Sequence, residues 1–128
     1  MACDAGLVGA CLLLGMRLSP QDSAAKAIAT DRYEAAKEAW ALLTDPIIQV
    51  TDDCETRVLW SRRLAEAAAE CGALPARDAF AQHLVHVEEL MRTTKILADA
   101  FRRPAFDVPI VRFHLAEAKG LAAQSAKK

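Results

Sequence analysis

The sequence predicts an all-α protein, an antiparallel four-helix bundle assembled from two tandem αα-hairpins. The first observation is composition: 27 alanines and 15 leucines stand against five glycines and five prolines, and only 5% of the 128 residues are aromatic. Such a chain favours helices, because strands are enriched in β-branched and aromatic residues. The second observation is that apolar residues recur at helical spacing in four segments. The linkers between these segments are short, so consecutive helices are expected to be antiparallel neighbours.

The first predicted helix is capped by Asp22 or Ser23 and is stopped by Pro46 and the run DPIIQVTDD of residues 45–53. Its apolar stripe advances in steps of three and four residues: Ala29, Tyr33, Ala36, Trp40, Leu43 and Ile47. The second predicted helix starts at a capping box formed by Asp52 and Glu55. It ends at Cys71, because Gly72 favours the left-handed conformation that terminates helices. Its predicted stripe is Arg57, Trp60, Leu64, Ala67 and Cys71.

The third predicted helix follows Pro75 and has the most regular pattern of the four, a coiled-coil-like seam ended by the Arg102-Arg103-Pro104 run. The seam consists of Phe80, Leu84, Val87, Met91, Thr94, Ala98 and Phe101. The fourth predicted helix is capped by Asp107 and tolerates Pro109 in its first turn. Its stripe is Val111, Leu115, Ala118 and Ala122. Because alanine buries little surface, we expect stability to depend on the large side chains Trp40, Trp60, Phe80, Met91 and Phe101.

An internal repeat supports the hairpin organisation. The residues 64–67 and 115–118 both read LAEA, at an offset of 51 residues. In such a bundle the first and third linkers emerge at the same end. The acidic run from Asp45 to Glu55 is therefore expected to approach the basic pair Arg102 and Arg103.

The domain organisation predicted from the sequence has two parts, residues 1–22 and a helical bundle over residues 23–125. The apolar run 5–16 has the length of a signal-peptide core, so residues 1–22 are a signal-peptide remnant, a flexible segment or a short packed helix. Val8 to Cys11 also look like a lipobox.

No apolar run reaches the ~20 residues that span a bilayer, so we do not expect the chain to be an integral membrane protein. Cys54 and Cys71 lie too far apart on one helix for a disulfide.

Charge and motifs exclude several classes of function. A net charge of −1 argues against a nucleic-acid partner. No phosphate-binding loop, nucleophile elbow or HExxH motif occurs, and Ser61 has no His and Asp at a spacing typical of a triad. We therefore expect no catalytic residue and no cofactor. The expected function is that of a non-enzymatic structural or interaction module with an unidentified protein partner. Exposure of Leu90 and Leu97 beside the seam would favour a weak homodimer.

The alternative function is a ligand- or metal-binding four-helix bundle that uses His83 and His86. These residues and Glu89 follow one another at steps of three, so all three project from one side of the third predicted helix. They could hold a metal if His114 or Cys71 approached them. Otherwise, the two histidines are expected to be half-exposed at the edge of the bundle.

The residues also carry a resemblance to a known kind of protein. The segment Ala100–Gln124, AFRRPAFDVPIVRFHLAEAKGLAAQ, resembles the second half of a TolC-type helical hairpin. The stretch 31–124 is similar to small predicted-secreted helical-hairpin proteins of planctomycete bacteria, through Tyr33–Lys37, Trp60–Leu64 and the hairpin His83–Leu121. Both hairpin turns lack the usual glycine, and the helices are too short for an efflux tunnel. The resemblance implies a periplasmic or secreted helical protein and supplies no catalytic residue.

Overall fold

The computed structural model describes residues 20–46 and 53–127, and within these residues the protein is built from four helices and no strands. The helices are α1 (Pro20–Leu43), α2 (Cys54–Cys71), α3 (Ala76–Asp99) and α4 (Asp107–Ala126). The predicted all-α bundle is therefore confirmed. None of the described helices is long and apolar enough to cross a membrane.

The chain divides into two compact units, Met1–Asp31 and Arg32–Lys128. The first unit contributes the start of α1, which begins at Pro20 and so runs through the predicted boundary between residues 22 and 23. The predictions for the apolar run 5–16, and those for Ile47 and Asp52, concern residues outside the described part of the chain. All packing described below belongs to the second unit.

Residues at both ends of α2 determine where this helix starts and stops. The side chain of Asp53 accepts a hydrogen bond from the backbone N–H of Thr56 at 2.7 Å, so the N-cap lies one residue after the predicted Asp52. Gly72 ends the helix in the left-handed conformation, with φ 81° and ψ 11°, as predicted. Pro75 then occupies the N-cap position of α3.

The end of α3 differs from the prediction. The helix stops at Asp99, and the next residues form a Schellman motif in which Arg102 N–H donates to the Leu97 carbonyl at 2.7 Å. Phe101 occupies the left-handed position of this motif, with φ 57°, where glycine is usual. Its side chain is 94% exposed. The prediction that Phe101 belongs to the buried seam is therefore wrong, because the helix ends before reaching it.

The buried stripe of α2 is rotated by one residue from the predicted one. The buried positions are Cys54, Val58, Ser61, Ala65, Ala67 and Ala68. Of the predicted stripe, only Ala67 is buried. Trp60 is half-buried and lies under the guanidinium group of Arg63, 4.7 Å from the ring centroid to Cζ. Ser61, rather than Trp60, therefore faces the other helices.

Two clusters of buried side chains hold the second unit together. The larger joins α2, α3 and α4 and contains Cys54, Val58, Val87, Leu90, Met91, Val111 and Ala118. The smaller, here called the alanine cluster, consists of Ala65, Ala68 and Ala79, with Tyr33, Leu74 and Phe80 packed against it. The predicted stripe of α4 is confirmed at Val111 and Ala118, which are fully buried. The alanine cluster brings α1 to the bundle through one large side chain, Tyr33.

The apolar patch expected to favour a homodimer does not exist in the predicted form. Leu90 is 5% exposed and belongs to the larger cluster, while Leu97 is half-buried. The condition for that patch, exposure of both side chains, is not met, because α3 packs against α2 and α4. A dimer therefore requires a different surface.

The linker between α3 and α4 meets the start of α2 through Arg103, whereas residues 47–52 of the acidic run that was expected to approach it lie outside the described part of the chain. Arg103 Nη1 lies 3.6 Å from the Sγ of Cys54 and 3.5 Å from Oδ2 of Asp107. Asp107 is the first residue of α4 and not its cap, which is Phe106. Cys54 and Cys71 are both free thiols.

Candidate functional site

A serine and two histidines form a hydrogen-bonded group between α2 and α3. The Oγ of Ser61 lies 2.8 Å from Nδ1 of His83 and 2.8 Å from Nδ1 of His86. The two histidines are three residues apart on α3, so both reach the side of α2 that carries Ser61. His83 and Ser61 are each 2% exposed. The expectation that both histidines are half-exposed at the bundle's edge is therefore wrong for His83.

Burial keeps both imidazoles neutral. It lowers the pKa of His83 to about 4, and the positive charges that His86 and Arg62 carry when protonated act in the same direction. Burial also lowers the pKa of His86, with a further contribution from Arg57. At pH 7 neither ring carries a charge, so their contacts with Ser61 are hydrogen bonds between neutral groups.

The single hydroxyl proton of Ser61 limits the tautomers of the two rings. The hydroxyl can donate to one Nδ1 at most, so at least one of the two rings donates its Nδ1–H to the Ser61 oxygen. A neutral ring that donates from Nδ1 has an unprotonated Nε2. Among the described residues, neither Nε2 atom has a hydrogen-bond partner.

These histidines form part of the wall of a cleft of about 380 Å³, here called the histidine cleft. From α1 it is lined by Tyr33, Lys37 and Trp40, and the indole ring of Trp40 stacks on His86 with centroids 4.4 Å apart. The ammonium group of Lys37 lies over the Tyr33 ring, 4.8 Å from its centroid, and pairs with Glu34 at 3.2 Å. The remaining wall is mostly apolar: Leu64, Ala65, Ala68, Leu74, Ala79 and Val85.

A second cleft, of about 360 Å³, lies on the other side of His83. Its polar wall centres on His114, whose Nε2 lies 3.2 Å from a carboxylate oxygen of Glu55 and whose Nδ1 lies 3.2 Å from one of Glu117. Since Glu55 lies in the first turn of α2 and His114 and Glu117 belong to α4, this imidazole links the two helices. His114 lines the same cleft as His83.

The third residue of the predicted metal group lies elsewhere. Glu89 is exposed and pairs with Arg92 at 3.0 Å on the same helix. The thiol of Cys71 donates to the carbonyl of Ala68. Over residues 20–46 and 53–127, no three His, Cys, Asp or Glu side chains are placed to hold a metal ion. The structure therefore brings His83 and His86 together around a serine and leaves Glu89 apart.

The sequence patterns did not identify Ser61 as a partner of the two histidines. The signal that could have found it is its position in the pattern Cys54, Val58, Ser61, Ala65 and Ala68, which has helical spacing and one polar member. A buried hydroxyl needs a hydrogen-bond partner, and two histidines three residues apart on the next helix supply it.

Comparison of the chain with protein families, with curated proteins and with solved structures finds no match. The resemblance to planctomycete-type helical-hairpin proteins consequently stays a prediction from the sequence motifs. Any statement about function has to come from the geometry of the two clefts and of the exposed surface.

Proposed function

We propose that the protein is a non-enzymatic binding module whose histidine cleft holds a small organic molecule. One observation carries the proposal: a cleft of about 380 Å³ combines an apolar wall with the convergent polar group Ser61, His83 and His86. Ligand sites of proteins are typically clefts of about 300–1,000 Å³ with mostly apolar walls and a few placed polar groups. The histidine cleft has both the size and the composition of such a site.

Two features favour binding over serine-type catalysis. Ser61 lies in the middle of α2, so the backbone N–H groups around it donate to helix carbonyls and cannot stabilise an oxyanion. In addition, the hydroxyl is shared between two neutral imidazoles, neither of which is oriented by a carboxylate within hydrogen-bond distance among the described residues. The group is therefore suited to holding a polar function of a ligand.

Two tryptophans allow a matched test. Trp40 lines the histidine cleft, while Trp60 lies outside it under Arg63. We expect calorimetric titration with a library of small aromatic and aliphatic fragments to find ligands of the parent protein. Binding of those ligands should weaken at least tenfold in Trp40→Ala and stay unchanged in Trp60→Ala. A library without a single binder, or equal binding by the two variants, would contradict the proposal.

A second candidate function is self-association as an interaction module, which exposed phenylalanines favour. Phe101, Phe106 and Phe113 are 94%, 64% and 63% exposed. Phe106 and Phe113 are seven residues apart and so lie on one side of α4. Large exposed aromatic side chains are typical of protein contact surfaces. The occupant that this proposal names is a second copy of the chain.

Light scattering tests the second candidate directly. We expect a monomer at micromolar concentration and a growing dimer fraction towards millimolar concentration. Replacing Phe106 and Phe113 by serine should abolish the dimer, whereas replacing the exposed Leu42 by serine should not. A parent protein that stays monomeric over this whole range would rule out self-association.

A further inference from the structure

We infer that the histidine cleft takes an uncharged aromatic molecule and discriminates against carboxylate and ammonium ions. The inference rests on the proposed binding function and names the class of ligand for the same cleft. Two observations carry it. The charge of the one ionic side chain in the described lining is already paired, and α1 contributes two aromatic rings to a wall that is otherwise mostly apolar.

The ionic side chain of the cleft is that of Lys37. Among the described residues that line the cleft, it is the only lysine, arginine, aspartate or glutamate. Its ammonium group lies 3.2 Å from a carboxylate oxygen of Glu34 and 4.8 Å from the centroid of the Tyr33 ring. A carboxylate of a ligand would therefore have to compete with Glu34 for this group. An ammonium ion of a ligand would meet no carboxylate among the described lining residues.

The two imidazoles offer an ion no charge either. Burial lowers the pKa of both His83 and His86, so neither ring is charged at pH 7. Arg57 and Arg62, whose charges act on these rings, do not line the cleft. An ion that enters the cleft therefore loses part of its hydration without gaining a counter-ion, which is far more costly than the same loss for an uncharged group.

The aromatic side chains of α1 favour a ring over a saturated group. Tyr33 and Trp40 both line the cleft, and each is half-buried. The indole ring of Trp40 already stacks on His86, with the two planes 25° apart. Aromatic pairs are more favourable than the burial of their apolar area alone. A ligand ring can pair with Tyr33 or Trp40, and the aliphatic side chains of the wall bury the rest of its surface.

The volume of the cleft sets the size of the ligand. A dry apolar cavity of about 150 Å³ holds one benzene molecule. The histidine cleft, at about 380 Å³, has room for a ring together with a short substituent. A charge one bond from the ring thus enters the cleft with it, so small aromatic probes report how well the cleft tolerates charge.

The test compares probes of similar shape, titrated into the full chain at pH 7 and followed by NMR chemical shifts. Benzamide and benzoate form one pair, and benzyl alcohol and benzylamine form a second; the members of each pair differ in charge and little in shape. Cyclohexylmethanol is the saturated counterpart of benzyl alcohol. We expect each uncharged aromatic probe to bind at least about tenfold more tightly than its charged partner. Benzyl alcohol should bind about threefold more tightly than cyclohexylmethanol.

Variants assign the two preferences to their sources. Glu34→Gln releases Lys37 and should strengthen the binding of benzoate relative to benzamide by about two- to fivefold. Glu38→Gln removes the same charge from an exposed position of α1 outside the lining of the cleft and should not have this effect. Trp40→Leu should reduce the preference for benzyl alcohol over cyclohexylmethanol, and Trp60→Leu, outside the cleft, should retain it.

The possible failures are distinguishable. If benzoate binds as tightly as benzamide, or benzylamine as tightly as benzyl alcohol, the inference is wrong and the proposed binding function stands. An equal response of the Glu34 and Glu38 variants, or equal binding of benzyl alcohol and cyclohexylmethanol, also contradicts the inference. If all five probes fail while other fragments of the library bind, the inference is likewise wrong; if every fragment fails, the proposed function falls with it.

Discussion

Lowering the pH from 8 to 5 should destabilise the protein through His83. The pKa of this imidazole is about 4 in the folded protein, whereas an unperturbed histidine, as in the unfolded chain, has a pKa of 6.5. Between these values the unfolded chain takes up a proton that the folded protein excludes, so stability falls as the pH falls. The full gap is worth about 3 kcal/mol, at roughly 1.4 kcal/mol for each unit of pKa. About 2 kcal/mol of it is lost at pH 5 relative to pH 8.

Urea unfolding followed by circular dichroism measures this loss. For a slope of about 2 kcal/mol per molar urea, the midpoint should be lower at pH 5 than at pH 8 by about 1 M. The lowered pKa of His86 adds a loss of the same sign. Asp53 does not interfere, because its pKa is already lowered from 3.8 by the Thr56 hydrogen bonds and its contribution is lost only at more acidic pH.

Two variants identify the group responsible. His83→Gln removes the titrating ring and retains a side chain that can bond to Ser61, so its stability should change by about 2 kcal/mol less between pH 8 and pH 5. His114→Gln removes a histidine whose side chain is 17% exposed, and the loss of stability between pH 8 and pH 5 should remain in this variant. If His83→Gln loses as much stability as the parent protein, the buried neutral imidazole is not the origin of the acid sensitivity.

Three further substitutions test other features by urea or thermal unfolding. Ser61→Ala removes the shared partner of both imidazoles and should lower the free energy of unfolding by about 1–3 kcal/mol, whereas Ser125→Ala, near the end of α4, should change it by less than about 0.5 kcal/mol. Phe101→Gly relieves a left-handed conformation at no cost in burial and should raise stability by about 1 kcal/mol; a loss would show that this side chain contributes contacts in solution. Asp53→Ala removes the cap of α2 and should cost about 1 kcal/mol, so an unchanged melting temperature would mean that the Thr56 bond contributes nothing.

The number of helices and the turn between α2 and α3 could be predicted from the sequence because local residues determine them. Gly72 and Pro75 mark the turn between α2 and α3, and apolar spacing predicts the stripe of α4. The rotation of α2 could not be predicted in the same way. Alanine occupies four of the five positions from 65 to 69, so the two neighbouring stripes have nearly equal hydrophobicity. The large apolar side chain of Trp60 favoured the stripe that contains it, which is not the buried one.

The candidate site shows why contacts between helices could not be predicted from local sequence patterns. His83 and His86 were identified from their spacing, but their partner Ser61 lies 22 residues before His83 and on a different helix. Its role depends on the way that α2 is rotated towards α3, which is a property of the packed bundle. The lining of the histidine cleft by Trp40 and Lys37 depends in the same way on where α1 packs.

The alanine cluster has a consequence for how the bundle opens. From Arg32 onwards α1 is held by Tyr33 on small side chains, by Trp40 on His86 and by the exposed Arg32–Glu70 ion pair, whereas α2, α3 and α4 share the larger cluster. Small buried side chains and exposed ion pairs contribute little free energy. Amide protons in residues 32–43 should therefore exchange with solvent through a local detachment of low free energy, and those around Val87 and Val111 only through global unfolding. The histidine cleft thus lies along the least costly opening of the unit, so a molecule can enter it while the other three helices stay intact.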